Sequence, residues 1–353
     1  MSVILTLLIF TVIVVIHEAG HMIVAKRFKV LVSEFAVGMG PKIWGFKKGD
    51  TTYNLRLLPL GGFCRMEEEV EDRTDVISFN DTTPIQKILI CLAGPFMNFV
   101  LAFVLMIGIS LCSPVSNTSI TNVNEGSPAA EIGLEVGDRI AEVNGHSVHS
   151  SQEIEFFKNN SDVPDEIVVK RNGEKINYTI TPTKTDERYV YGIGLAVKAP
   201  YINIFHKDYG DIVKGEFWEY IVGAFWSVIF LIKATVISFV RLITAKVAVT
   251  DMSGPIGVTS AVGEVYTETV KVGMAAVVLS MCELTVLLSA NLGVLNLFPL
   301  PALDGGRIVI GFIELITRRK VPENIEGFIH FIGFALLMAL GVYIAFNDVL
   351  KLL

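Results

Sequence analysis

Charge is scarce in this sequence. Asp, Glu, Lys and Arg make up 18% of it, against about a quarter in an ordinary soluble domain. There is no block of basic residues and the net charge is −7, which excludes a general nucleic-acid binder. Cysteine is sparse too. Cys64, Cys91, Cys112 and Cys282 are scattered, with no Cys-x-x-Cys pair. That rules out a disulfide framework or a cysteine zinc ribbon, and the four are read as small buried hydrophobes. The apolar N-terminal stretch lacks the basic head and small-residue cleavage site of a secretory signal, so it is read as a retained helix.

Hydrophobic residues take up the difference. They form 52% of the 353 residues and the mean hydropathy is +0.55, so membrane spans are the first expectation. Four runs, 3–25, 88–115, 272–303 and 328–346, meet the length of about 20 residues that crosses a bilayer. A fifth, 217–249, carries Lys233, Arg241 and Lys246. Basic residues near span ends set orientation. The 26–87 segment holds ten Lys/Arg, and Arg307, Arg318, Arg319 and Lys320 follow the third run. Both regions are expected on the cytoplasmic side of a multi-pass cell-membrane protein, with 116–271 outside. If 217–249 also crossed, the third run would travel outward and end far from the inner end of the first. It is therefore read as an amphipathic helix on the outer membrane surface.

Residues 116–200 read as a separate soluble domain. Short β-type runs, TSITNVN, RIAEVNG, EIVVKRNG and KINYTITP, alternate with turn signals. Asn144-Gly145 and Asn172-Gly173 are two-residue hairpin turns. The stretch EGSPAAEIGLEVGDRIAEVNGHSV resembles the core of a PDZ domain, a module that binds extended peptides by strand addition. Between the first two spans, SEFAVGMGPKIWGF and TTYNLRLLPLGGFCRM are apolar and glycine-rich. They suit a β-hairpin that enters the interior of a membrane protein. The acidic stretch EEEVEDRTD at 67–75 is expected to be solvated.

The expected fold is thus an α-helical integral membrane protein with four transmembrane helices, a membrane-associated β-hairpin region and an extracytoplasmic PDZ-like α+β domain. Its parts are an N-terminal membrane half (1–115), the PDZ-like domain (116–200), a connector (201–271) and a C-terminal membrane half (272–353).

The chemistry lies at residues 17–21, HEAGH, inside the first apolar run. On a helix, residues four apart share a face, so His17 and His21 can hold one metal ion while Glu18 serves as base toward a water. Buried in hydrocarbon without a cation, the three would leave polar groups unpaired. A structural or transport metal site is the other reading of the same residues. A catalytic zinc takes three protein ligands and leaves one position open. His146, His149, His206 and His330 are badly placed for the third. Asp304 suits it better, at the end of the third run, after the helix-breaking Pro299 and Pro301 and before Gly305-Gly306. Its alternative role is to cap the next helix. Glu283, about 30 Å along the run from Asp304 at 1.5 Å per residue, is expected near the outer surface.

Taken together, HEAGH in a first span, LDGG closing a later one and a PDZ domain between them resemble the site-2 protease family of intramembrane zinc metalloproteases. Within that family the sequence looks like the bacterial enzymes that release sigma factors by cutting anti-sigma factors. VGMGP (37–41), RLLPLGGF (56–63), AGPFMNF (93–99), SGPIGV (253–258) and NLFPLPALDGG (296–306) carry the resemblance. It implies a Zn2+ ion on His17, His21 and Asp304, with Glu18 as general base and Asn296 contacting substrate. It also implies that Gly38, Gly40, Gly61 and Gly62 help to hold the substrate extended. Implied partners are transmembrane protein substrates, the lipid bilayer and a peptide or substrate tail at the PDZ-like domain. A membrane metallopeptidase cutting cytosol-facing loops, or a non-enzymatic metal transporter or PDZ scaffold, are the competing readings.

Overall fold

A computed structural model describes residues 1–67, 75–185, 188–205, 207, 210, 212–244 and 254–352. Most of the acidic 67–75 stretch, His206, Ser253 and the last residues of the 217–249 run lie outside these. The chain divides into two compact units, one of Met1–Leu105 with Leu231–Leu353 and one of Met106–Phe230.

The first unit is built of helices around a small sheet. Helix α1 (Ser2–Arg27) takes the whole first apolar run and ends on Lys26 and Arg27, cations that suit a helix C-terminus. Strands β1 (Val32–Lys48) and β2 (Thr51–Met66) follow, and both are bent. Residues 32–37 pair with 62–66 on one side and with 52–55 on the other, while 51–56 also pair with 42–48. Two strands therefore make four arms, in the order 62–66, 32–37, 51–56, 42–48. Glycines make the bends: Gly38, Gly40 and Gly61 all have positive φ, a region closed to most side chains. Asn54 and Arg56 both donate to Glu34 Oε1 and lock the two central arms together. The 42–48 arm leaves Ile43 and Trp44 exposed, and the bends leave Met39, Leu57 and Leu58 exposed. On the other side β2 runs along α1: Thr11 Oγ1 donates to Pro59 O at 2.8 Å.

Helix α2 (Pro84–Cys112) carries Pro95 within it. The bundle is completed by α6 (Pro255–Val270), α7 (Met274–Leu297), α8 (Asp304–Thr317) and α9 (Glu323–Leu352), and by the second half of α5 (Phe217–Ile243). The apolar contact between Ile9, Ile13 and Val262 seats α6 on α1, and Asp348 of α9 accepts from Gly257 N at the start of α6. Among the described residues five helices, α1, α2, α5, α7 and α9, are long and apolar enough to cross a membrane; four of them cover the expected spans and α5 covers the 217–249 run. Along α5, Thr235 Oγ1 donates to Asn291 of α7, and Phe239 stacks on Phe298. Glu283 is exposed on α7.

The second unit contains a sheet in the order β10-β3-β4-β6-β7, from β3 (Val115–Val123), β4 (Arg139–Val143), β6 (Asp165–Arg171), β7 (Glu174–Ile180) and β10 (Ile193–Lys198). The short β5 (His146–Ser147) pairs with β4, and β8 (Thr183–Thr185) with β9 (Arg188–Val190). Helices α3 (Pro128–Glu131) and α4 (Ser151–Phe157) complete it, the latter opened by a reciprocal Ser150–Glu153 cap. Both expected Asn-Gly turns are present with positive φ at each residue, the backbone a two-residue hairpin needs. Inside, Ile120, Ile140, Val143, Ile167 and Ile180 are buried. Arg171 bridges Asp138 through Nε and Nη2, holding that carboxyl below the usual carboxylate range against the opposing effect of burial. Residues 201–230 belong to this unit.

Candidate active site

His17 and His21 lie one turn apart on α1, each 6% exposed, with their Nε2 atoms 3.1 Å apart. Asp304, the first residue of α8, brings Oδ2 to 3.1 Å from His17 Nε2 and 3.4 Å from His21 Nε2. The local sequence explains how it gets there. Pro299 and Pro301 lack N–H donors and α7 stops at Leu297. A Cβ on Gly305 would stand 2.0 Å from Phe298 O, and one on Gly306 2.6 Å from Leu300 O. Only glycine lets α8 start so close to the end of α7. Leu303, not Asp304, occupies the cap position of α8, and no side chain caps it, so Asp304 is not spent as a helix cap.

These three are the cluster of metal-type ligands found among the described residues, and they fit zinc. Tetrahedral bonds of about 2.0–2.2 Å set ligand atoms about 3.3–3.6 Å apart, close to the observed 3.1, 3.1 and 3.4 Å. The outer ring nitrogens are already occupied by α2. His21 Nδ1–H donates to Ile90 O at 2.8 Å, which leaves Nε2 bare on a neutral ring.

The model of peptidase family M50 matches residues 5–340. The chain belongs to peptidase family M50. A Clostridium perfringens protein, named as a candidate zinc metalloprotease, is 35% identical over 99% of both chains. The regulator of sigma-W protease RasP of Bacillus subtilis is 28% identical, again over 99% of each. A zinc metalloprotease RasP of Geobacillus kaustophilus is 28% identical over 99% of this chain and 98% of its own. The solved PDZ domain of an SdrC-like protein from Listeria innocua covers 22% of this chain and 92% of its own, at 28% identity and a TM-score of 0.21. This M50 member is an intramembrane zinc metalloprotease of regulated proteolysis.

The other expected residues of the M50 site fall as follows. Glu18 Oε2 accepts from Cys64 N–H at 3.0 Å, so β2 is tied directly to the residue after His17. Asn296 Nδ2 lies 3.5 Å from His17 Nε2. Gly61 and Gly62 lie against Val14 and Val15 of α1, just before HEAGH. Gly38 and Gly40 are at the bend of β1 and lie against Leu58 of β2, with no described contact to the histidines or Asp304.

Sequence reasoning missed what α2 contributes. Asn98 is fully buried, with Nδ2 3.2 Å from His17 Nδ1 and no partner for Oδ1. Its backbone carbonyl accepts from Ser289 of α7. A Cβ on Gly94 would stand 2.3 Å from His21 Nε2, so α2 reaches the rings only because that side chain is missing. Pro95 has no N–H to give to Cys91 O, the carbonyl next to Ile90 O. The available signal was AGPFMNF, which gathers a glycine, a proline and the sole amide side chain of an uncharged 28-residue run, 88–115.

Proposed function

We propose that His17, His21 and Asp304 hold a zinc ion and that Glu18 is the general base for hydrolysis of a peptide bond within a substrate's transmembrane segment. The observation that carries this reading is the convergence of three ligand atoms, near tetrahedral spacing, from HEAGH and LDGG. Zinc, when bound, supplies Lewis acidity that polarises a carbonyl and lowers the pKa of a water to about 7. Glu18 takes that water's proton and delivers it to the leaving amine nitrogen. The Cys64 N–H on Oε2 orients the carboxylate and leaves Oε1 for the proton. Asn296 Nδ2, near His17 Nε2, can donate to the carbonyl oxygen as negative charge grows there. Asn98, with its amide turned over, accepts from His17 Nδ1–H through Oδ1. That satisfies the orphaned oxygen and bares His17 Nε2, as Ile90 does for His21.

A transmembrane helix hides its carbonyls in its own hydrogen bonds and must be drawn out before it can be cut. The 62–66 arm is an edge of the four-arm sheet and lies beside Glu18, so its outer side can pair with an extended substrate. The exposed apolar residues of the 42–48 arm and of the bends suit immersion in the membrane interior. Candidate clients are membrane-anchored anti-sigma factors, by analogy with the sigma-W protease, and remnant signal peptides. The PDZ-like unit is proposed to lie outside the cell and the zinc site toward the cytoplasm, following the basic residues at 26–87 and 307–320.

Crossing by α5 as well fits this orientation, and replaces the surface helix expected from sequence. A helix flat on the outer surface would not run along the end of α7 that approaches Asp304, as Thr235 and Phe239 do. Helix α6 lies at the opposite end, where Gly263 meets Ser2 and Gly257 meets Asp348. The chain therefore enters α7 from the end where α1 begins, and α7 still runs toward HEAGH.

The test is Glu18→Gln in proteoliposomes with a transmembrane substrate. Zinc content should stay at the wild-type level while turnover falls by about 10²–10⁴-fold, and wild-type cleavage should map to a bilayer-embedded residue. A Gln variant that still cuts refutes the base assignment.

A further inference from the structure

Asp304 depends on the break between α7 and α8, residues 298–303, held from within by two backbone hydrogen bonds, Leu300 N–H to Phe298 O at 2.7 Å and Leu303 N–H to Leu300 O at 3.3 Å. Ala302, two residues before the carboxylate, has φ +71. That conformation is unfavourable for a residue with a Cβ and persists only where its surroundings enforce it. The 300–303 turn is closed by its own long Leu303 N–H to Leu300 O bond, and the contact that fixes Ala302 N–H itself comes from the last helix. His330 Nδ1 accepts from Ala302 N–H at 2.8 Å. One turn further along α9, a Cβ on Gly333 would stand 2.3 Å from Pro301 Cβ and 2.7 Å from Pro301 O. Backbone therefore meets backbone at Pro301, directly beside the strained residue.

The same face of α9 is anchored elsewhere. Glu326, His330 and Gly333 follow at i, i+4 and i+7, and so share one side of the helix. Glu326 Oε2 lies 3.6 Å from Lys87 Nζ at the start of α2, and Lys87 Nζ also meets Glu314 Oε2 of α8 at 3.3 Å. Glu314 in turn accepts from Val321 N in the turn that leads to α9. Lys87 and Glu314 are both buried, where an ion pair resists displacement because losing one partner strands the other. Helix α9 is thus fixed to α2 and α8 within a turn of the contact it makes on the 298–303 break.

We propose that His330 is a positioning residue for Asp304: from α9 it holds Ala302 in its left-handed turn and so sets the carboxylate against His17 and His21. It touches neither metal nor substrate. The inference rests on the reading of Asp304 as a zinc ligand, and the experiment separates the two.

Full-length wild type, His330→Ala, His330→Asn, His330→Gln and Asp304→Asn are purified in detergent, and zinc affinity is measured by competition with a chelator. Asn places its carbonyl oxygen where Nδ1 stands, and Gln carries the same amide one carbon further out. The Ala and Gln variants should lose about tenfold in zinc affinity, with kcat falling and KM for a transmembrane substrate unchanged. The Asn variant should return to wild-type affinity. Wild-type affinity in the Ala or Gln variant overturns the proposal, as does an Asn variant as weak as Gln. If Asp304→Asn itself binds zinc like wild type, the ligand reading fails instead.

Discussion

Replacing Gly94 by Ala adds one methyl group and changes no ligand, no charge and no hydrogen-bonding atom. The methyl carbon would stand 2.3 Å from His21 Nε2, 2.6 Å from His21 Cε1 and 2.8 Å from His17 Cε1. Non-bonded carbon contacts prefer about 3.5–4.0 Å, so the rings or α2 must yield by about an ångström. The rings have little freedom to do so. His21 is fixed by Ile90 O and His17 by Asn98, both on α2 itself, and α2 cannot withdraw without breaking those contacts. Overpacking costs typically 1–3 kcal/mol and each broken hydrogen bond about 1 kcal/mol. A total of about 2–4 kcal/mol corresponds to roughly a 30- to 1,000-fold loss of zinc affinity at 1.36 kcal/mol per decade. Chelator competition on the full chain measures it directly. Gly108→Ala is the control, because it lies on the same helix with nothing within 4 Å of the added carbon and should leave affinity unchanged. A Gly94→Ala chain that binds zinc and cleaves like wild type would show that α2 does not press on the histidines as described, and the argument built on that contact would fail.

Three further outcomes follow from the same contacts. Asn98→Ala should weaken zinc binding by about 10–100-fold, while Asn98→Asp, which keeps an acceptor for His17 Nδ1–H, should lose less; equal losses would exclude the hydrogen bond as the cause. Gly38→Ala meets both a φ of +84 and Leu58 O at 2.5 Å. It should distort the bend of β1, raise KM and leave zinc content unchanged, and an unaltered KM would remove this bend from substrate binding. In the 106–230 unit, the lowered pKa of Asp138 means that its pairing with Arg171 stabilises the fold above the unfolded value of about 3.9 and is lost as pH falls through the folded value. Amide-exchange protection of β3, β4 and β6 should therefore hold steady from neutral pH to about 4 and fall below it. Asp138→Asn should flatten that fall, and parallel curves for the two chains would assign it to another group.

Why some of these contacts could be read from sequence and others could not follows from what carries each one. HEAGH was legible because two ionisable rings at helical spacing in hydrocarbon have few uses other than a cation. Asp304 was legible because prolines before it and glycines after it mark a break where a carboxylate can leave the helix. The Asn-Gly turns at 144–145 and 172–173 were legible because few other pairs tolerate positive φ twice in succession. Each of these rests on chemistry carried by the residue itself. The contribution of α2 is of another kind. Gly94 matters through an atom it does not have, and Ile90 through a carbonyl that every residue has, so neither differs in sequence from its neighbours. Likewise, alternation reveals that 32–66 is extended, but not that 32–37 takes partners on both sides, because that depends on where glycines bend the two strands.

Helix α5 and His330 expose a different obstacle. The case against a fifth span assumed that each apolar run reverses the chain's direction. On the proposed crossing of α5, the 16-residue α6 begins at the end of the bundle opposite to where α5 stops, and that is the step the parity argument did not consider. His330 was set aside as a ligand because it opens the fourth apolar run, and its ring meets a backbone N–H rather than the histidines. A histidine in a span needs a partner, but sequence does not say whether that partner is a metal or an amide proton. Here the difference is decided by Gly333, seven residues and about two turns after Glu326, which is small enough to bring α9 against Pro301. With any side chain at 333 the helix would stand off, His330 Nδ1 would lose Ala302 N–H, and the left-handed turn that delivers Asp304 would keep only its own 3.3 Å Leu303 N–H to Leu300 O bond.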